Sequence, residues 1–353
     1  MFKRVLSSWF SSGAAGEDKH RGDSPAPPDV VEVAGSRFAI AERLSFTEGL
    51  PHLDWQAVSA WVATLADESQ RGHAWGLCEK AWLDHLRVAL GIDHRLRESN
   101  GTLLLCSLDE RAAQAALEFM NRTEQRVLRV LDGLASNDGW GHDIVVLFED
   151  EPTYYRYVSY HYPSLGEFAF SGGMFINDGC AHFVAVKGDL HALEPVIAHE
   201  TTHALLSHLP IPAWLNEGLA VNTERRLCPA QHDPRNRAPD AQMHERHKAF
   251  WGQDEIQQFW SGQSFLRSDQ GNELSYDFAR ILVEQFAADW EPFVRFARSA
   301  RLDDAGAQAA VQALGIQLGE AAAAILERSS AEGFAPRPQA WSAAPERGGF
   351  VSF

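Results

Sequence analysis

The apolar positions of this chain change period as it runs. Between residues 54 and 67, Trp55, Val58, Trp61, Val62 and Leu65 recur at helical spacing, which predicts an amphipathic helix with a Trp-rich face turned to a core. A second helical run, "AWGLCEKAWLDHLRVALG", occupies 74–91 and stops at Gly91. The pattern then shortens. "NGTLLLCSLDE" predicts a strand after a turn, residues 109–134 a helix, and "DIVVLFED" at 143–150 a second strand rich in β-branched residues. In "GGMFINDGCAHFVAV" two apolar runs meet across Asn177-Asp178-Gly179, which predicts a hairpin. Helical spacing dominates beyond it, over 196–209, 213–224, 275–290 and 305–315. Strands first and helices after them predict an α+β domain rather than a doubly wound one.

Polar stretches rich in Gly, Ser and Pro flank this pattern. Residues 1–29 read as a flexible leader and 329–353 as a C-terminal tail that Trp341, Phe350 and Phe353 could dock. Between them lie a mostly helical N-terminal region, 30–95, and the α+β domain, 96–328. The chain has 353 residues, of which 45 % are hydrophobic, enough for a sizeable core. Its net charge of −17 argues against nucleic acid or an anionic membrane as the main partner. The four cysteines are scattered without a C-x-x-C pair, so they read as buried hydrophobes in a reducing compartment rather than a disulfide framework. Lys3 and Arg4 precede an apolar patch broken by serines, shorter than the roughly 7–15 residues of a signal-peptide core. No run approaches the roughly 18 apolar residues of a membrane span. A cytoplasmic, soluble protein is expected.

The chemistry concentrates in "VIAHETTHALLSHL". His199-Glu200-Thr201-Thr202-His203 matches H-E-x-x-H. On a helix, positions i and i+4 share a face, so both imidazoles can reach one metal ion while Glu200 projects beside it. Taken alone the pattern also suits an ordinary half-exposed helix with two solvated histidines. Pro195 is placed to start this helix, and Pro210 and Pro212 to break it. Pro212 can then open a second helix, "AWLNEGLAVNTE", that returns towards the first. Glu217 in its opening turns can supply an oxygen ligand, and Gly218 permits close approach of the two helices. Catalytic zinc generally takes three protein ligands and keeps one position open, and His199, His203 and Glu217 make such a set. His244 and His247 in "MHERHKAF" stand at a spacing that can bind metal, but their polar surroundings favour a solvated helix face. Nothing in the spacing of His182, His191 or His208 marks them as ligands.

"HETTH" followed by "PAWLNEGLAV" resembles the gluzincin metallopeptidases, most closely the peptidase MA-like group, whose members carry H-E-x-x-H, a short loop and a W-L-x-E-G-x-A segment. The resemblance spans about residues 96–325, and its specific part is 196–224. It implies a zincin-like domain: a small mixed sheet with an edge strand over the site, the motif helix and a helical C-terminal part. It also implies one zinc ion held by His199, His203 and Glu217, with Glu200 as general base and acid in hydrolysis of peptide bonds by a Glu-activated, zinc-bound water. A Tyr or His on a later helix commonly stabilises the oxyanion in that group, which points to Tyr276 in "ELSYDFARILVEQF". A peptide or protein substrate is expected to add to the edge strand, either 179–186 or 172–176. Many gluzincins place an Asp four residues after the glutamate ligand to hold a histidine, and here Val221 stands at that position. Asn222 or Glu224 is then the replacement partner. Two rival readings share these residues: a zinc-fold scaffold that cleaves nothing, and a metallohydrolase acting on a non-protein amide or ester.

Overall fold

The computed structural model describes residues 26–91, 93–137, 140–161, 173–188, 190–230 and 240–341. Most of the expected leader, the polar stretch 231–239, and Phe350 and Phe353 of the expected tail lie outside the described residues.

The N-terminal region opens with two short hairpins that the apolar periodicity did not announce. β1 (Val30–Val33) pairs with β2 (Ser36–Ala39), and β3 (Leu44–Thr47) with β4 (Leu50–Leu53), all antiparallel. Each strand is only four residues long, too short for alternation to stand out. Their turns carry the signal instead. Ala34-Gly35 and Glu48-Gly49 both hold positive φ at two successive residues, the mirror-image turn that matches the twist of a tight hairpin. Helices α1 (Trp55–Ala63) and α2 (Glu68–Leu90) follow. Asp54 and Asp67 cap them, their carboxylates accepting from the backbone N–H of Ala57 and Gln70.

A five-stranded mixed sheet forms the middle of the molecule. It contains β5 (Arg95–Ser99), β6 (Thr102–Cys106), β7 (Asp143–Phe148), β8 (Gly173–Asp178) and β9 (Cys180–Val186), in the order β5-β6-β7-β9-β8. The central strands β6, β7 and β9 are parallel, and the two outer strands run antiparallel to their neighbours. The expected hairpin is β8–β9, reversing at Gly179 (φ 81°). Of the two candidate edges, β8 is at the edge and β9 is interior.

Alternating side chains divide the strands between two cores. Leu103, Leu105, Ile144, Val146, Phe148 and Val184 pack with the hairpins, α1, α2 and α4 (Glu151–His161). Leu104, Cys106, Val145, Leu147, Phe183 and Ala185 pack on the other face against α3 (Glu110–Val130) and α5 (Leu190–Leu206). The N-terminal helices therefore share a core with the sheet, and the division expected near residue 95 falls inside that core. The architecture is mixed α and β, consistent with the α+β expectation.

All described elements after α5 are helical: α6 (Ala213–Leu227), α7 (Asp240–Phe250), α8 (Glu255–Trp260), α9 (Gln270–Phe286), α10 (Trp290–Ser299), α11 (Ala307–Leu314) and α12 (Leu318–Ile325), with two short 3-10 turns. They build a third core around Trp214, Trp251, Phe259, Trp260, Phe278 and Phe296. The chain beyond α12 is docked as far as it is described: Phe334 is buried, and the Trp341 indole donates to Gln257.

Two local expectations need correction. Pro195 does not start the motif helix; α5 begins at Leu190 and carries Pro195 inside it. Its missing N–H removes one backbone bond from the second turn of the helix. Gly218 faces α9 rather than α5: a Cβ there would lie 2.6 Å from the Ala279 carbonyl oxygen and 2.5 Å from Val283. Its small size sets the α6–α9 packing distance.

Candidate metal centre

α6 is buried on nearly every side, as expected of a helix enclosed by neighbours. One face holds Trp214 and Gly218, a turn apart. The Trp214 indole donates to the Ala305 carbonyl at 3.0 Å, which ties α6 to the C-terminal helices. The Asn222 side-chain amide donates to the carbonyls of Gly218 and Arg280. The neighbouring face, about 90° round the helix, carries Glu217 and, two turns on, Glu224, and both reach α5. The tryptophan and glycine of "AWLNEGLAV" thus fix the helix so that its acidic face meets the motif histidines.

The meeting point is tight. His199 Nε2 lies 3.3 Å and His203 Nε2 3.4 Å from Glu217 Oε2, and ligand atoms of the three residues all fall within 4.8 Å of one another. All three side chains are buried. None of these three atoms has a hydrogen-bond partner of proper geometry. Buried polar atoms are otherwise nearly always satisfied, because an unmet group costs roughly 1–3 kcal/mol. Three such atoms converging on one point are what a metal site presents in the absence of its ion, and two imidazoles with a carboxylate form a sound donor set for one. This group can hold a metal ion.

The neighbours fit that role. His199 Nδ1 lies 3.1 Å from Glu224 Oε2, a bond that leaves Nε2 as the ring's free nitrogen. Glu224, rather than Asn222, therefore takes the place that Val221 leaves vacant. Glu200 is buried beside the cluster and its Oε2 has no hydrogen-bond partner. Burial raises its pKa, against the opposing pull of His199 and His203. Burial also disfavours a charged His199, but Glu217, Glu224 and Glu200 outweigh it and hold that pKa well above the ordinary histidine value. Glu217 is the reverse case: burial opposes its ionisation, and His203 and His199 hold its pKa down at about 2. Tyr276 on α9 comes to the same place, its ring centroid 6.3 Å from that of His199. Burial first, then Glu217 and Glu200, push its hydroxyl well above the usual tyrosine range.

The structure brings together every predicted site residue: His199, Glu200, His203, Glu217 and Tyr276. It keeps the other histidines apart. His247 is buried rather than solvated, with Nε2 donating to Asp277 at 3.0 Å and Nδ1 accepting from the Trp251 indole at 2.9 Å. His244 pairs with Glu327. His182 donates from Nδ1 to the Cys180 carbonyl and accepts at Nε2 from the Tyr157 hydroxyl. The side chain of His191 lies outside the described residues. All four cysteines are free and buried. Among the described residues no other His, Cys, Asp and Glu group is close enough to hold an ion, and no helix is long and apolar enough to cross a membrane.

One feature had no signal in the sequence. A cavity of about 430 Å³ lies between α5 and the starts of β6, β7 and β9, and Glu200, Thr201 and His208 form part of its wall. Most of its remaining polar residues come from segments far from α5 in the chain, so no local spacing could reveal it. Comparison with known proteins gives no match, neither to a family model nor to a curated protein. Fold and site together define a mixed α/β protein with a buried His-His-Glu centre, and function is argued from that centre alone.

Proposed function

We propose that this chain is a zinc-dependent hydrolase of zincin type that cleaves peptide bonds, with His199, His203 and Glu217 as the metal ligands and Glu200 as general base and acid. The convergence of three buried, unpartnered ligand atoms carries the reading. Zinc on such a donor set supplies Lewis acidity and water with a pKa near about 7.

The chain's own residues supply the rest. Glu224 accepts from His199 Nδ1–H and so presents Nε2 with its lone pair towards the centre. Glu200 follows His199 directly, so its carboxylate stands beside the ligands rather than among them. The residue lines the cavity and its Oε2 is without a hydrogen-bond partner, and it would take a proton from water and return it to the leaving amine. Tyr276, whose ring centroid lies 6.3 Å from that of His199, would donate its hydroxyl to a developing oxyanion. β8 pairs only with β9 among the described residues and touches α5, which suits an extended peptide adding along it.

Screening a peptide library against the wild-type chain and Glu200→Gln tests the reading. Cleavage by the wild type should fall about 10²–10⁴-fold in the variant, while zinc content stays the same. A wild type that cleaves no peptide, or a variant that cleaves as well as the wild type, would refute it.

A further inference from the structure

The cavity beside Glu200 has a one-sided charge. Glu124 from α3 and Asp143 at the start of β7 line it together with Glu200, and none of the described residues that line it is Lys or Arg. His182, also in its wall, is kept neutral by burial, its pKa lowered to about 3. Glu124 accepts from the Asn137 amide, but among the described residues no hydrogen-bond donor reaches the Asp143 carboxylate, and the neighbouring His142 ring, also in the wall, is engaged by Glu79. Burial, with Glu124 and Glu79 as like charges, pushes the Asp143 pKa up to about 6 against the opposing pull of His142. Glu200 lines the same space. Trp140, 46 % exposed, stands at the wall with its indole 3.4 Å from Glu68.

These observations select one kind of occupant. An anion would meet three carboxylates and no lysine or arginine. An apolar group would bury the Asp143 carboxylate with nothing to answer it, a costly arrangement. A second metal ion is excluded by distance, since Glu124 and Asp143 belong to no ligand group tight enough to hold one. An extended organic cation satisfies every wall, because its head meets the carboxylates and its stem or guanidinium can lie against the Trp140 ring. The volume falls within the range of small-ligand pockets.

We propose that this cavity receives the basic side chain, Lys or Arg, of a substrate residue flanking the bond that is cut, with Asp143 and Glu124 as its anionic partners. The inference rests on the hydrolase reading, since Glu200 places the cavity beside the reacting bond. It makes this chain selective by charge, and it fixes the sign of that charge.

Binding and cleavage test it separately. The inactive Glu200→Gln chain, loaded with zinc, is titrated with two short peptides that differ only in one arginine or norleucine, followed by tryptophan fluorescence and calorimetry. The arginine peptide should bind at least about tenfold more tightly. Asp143→Asn and, separately, Glu124→Gln in the same background should shrink that ratio towards unity, with circular dichroism and zinc content showing that each variant stays folded. Equal binding of the two peptides, binding of neither, or a ratio that survives both substitutions would overturn the pocket. Wild-type cleavage of the same peptides reads the hydrolase claim. If the chain binds arginine selectively but cuts nothing, the pocket stands and the hydrolase reading falls. If it cuts both peptides equally, the pocket falls and the hydrolase reading stands.

Discussion

Four of the buried histidines stand in opposite conditions. His182 and His247 are as deeply enclosed as His199 and His203, yet both ring nitrogens of each have partners: a carbonyl and a tyrosine hydroxyl for His182, a carboxylate and an indole for His247. In the α5 pair, both Nε2 atoms lack one, and His203 lacks a partner at Nδ1 as well. Burial therefore does not mark a site. Nor does one open nitrogen, since His52 and His94 are buried with Nε2 unpartnered; what sets the α5 pair apart is that their open nitrogens converge on one carboxylate oxygen.

Three perturbations sharpen that contrast, from the largest expected effect to the smallest. His247→Ala removes a committed histidine and strands the Trp251 indole, so stability should drop by about 2–4 kcal/mol in denaturant melts. Its zinc content should match that of the wild type. Glu224→Gln touches the open pair indirectly, by weakening the hold on His199 Nδ1. Zinc affinity, read by competition with a chelator, should weaken about 10–100-fold without loss of fold; unchanged affinity would remove Glu224 from the site.

The third perturbation extends the contrast to a carboxylate. Asp143 has an ordinary pKa of 3.8 and a native one of about 6. Between these values the native chain binds more protons than the unfolded chain, so stability falls as pH rises through the window and stays reduced above it. Asp143→Asn should therefore be more stable than the wild type at pH 7, by about 1 kcal/mol after allowance for partial exposure. The gain should vanish below about pH 4. A gain that is the same at both pH values would mean that the carboxylate's charge is not its cause.

The site was far more legible in the sequence than the fold around it. H-E-x-x-H, a proline break and W-L-N-E-G lie within one short stretch: helical spacing puts His199 and His203 on one face, and the break lets a second helix bring Glu217 back to them. Tyr276 came from the resemblance and not from spacing, and the structure sets it beside His199. Glu224 was one of two alternatives. Its place two turns beyond Glu217 on the same helical face decides for it, because Asn222 spends its amide on backbone carbonyls. The N-terminal hairpins escaped notice because four-residue strands show too little alternation, and only their X-Gly turns betray them. β5 is a polar edge strand with a mixed burial pattern, so hydrophobicity gave it no outline. The role of Gly218 was misassigned because sequence order suggested α5 as its neighbour, whereas the contact is made by α9, far along the chain. The acidic cavity is likewise assembled by tertiary packing.

The most direct test of the account is elemental analysis of the purified chain beside His203→Ala and His247→Ala. The account predicts one zinc per chain in the wild type, one in His247→Ala, and a near-complete loss in His203→Ala that remains folded. A wild-type chain that takes up no zinc, or two histidine variants that lose it equally, would contradict the claim that His199, His203 and Glu217 form a metal centre.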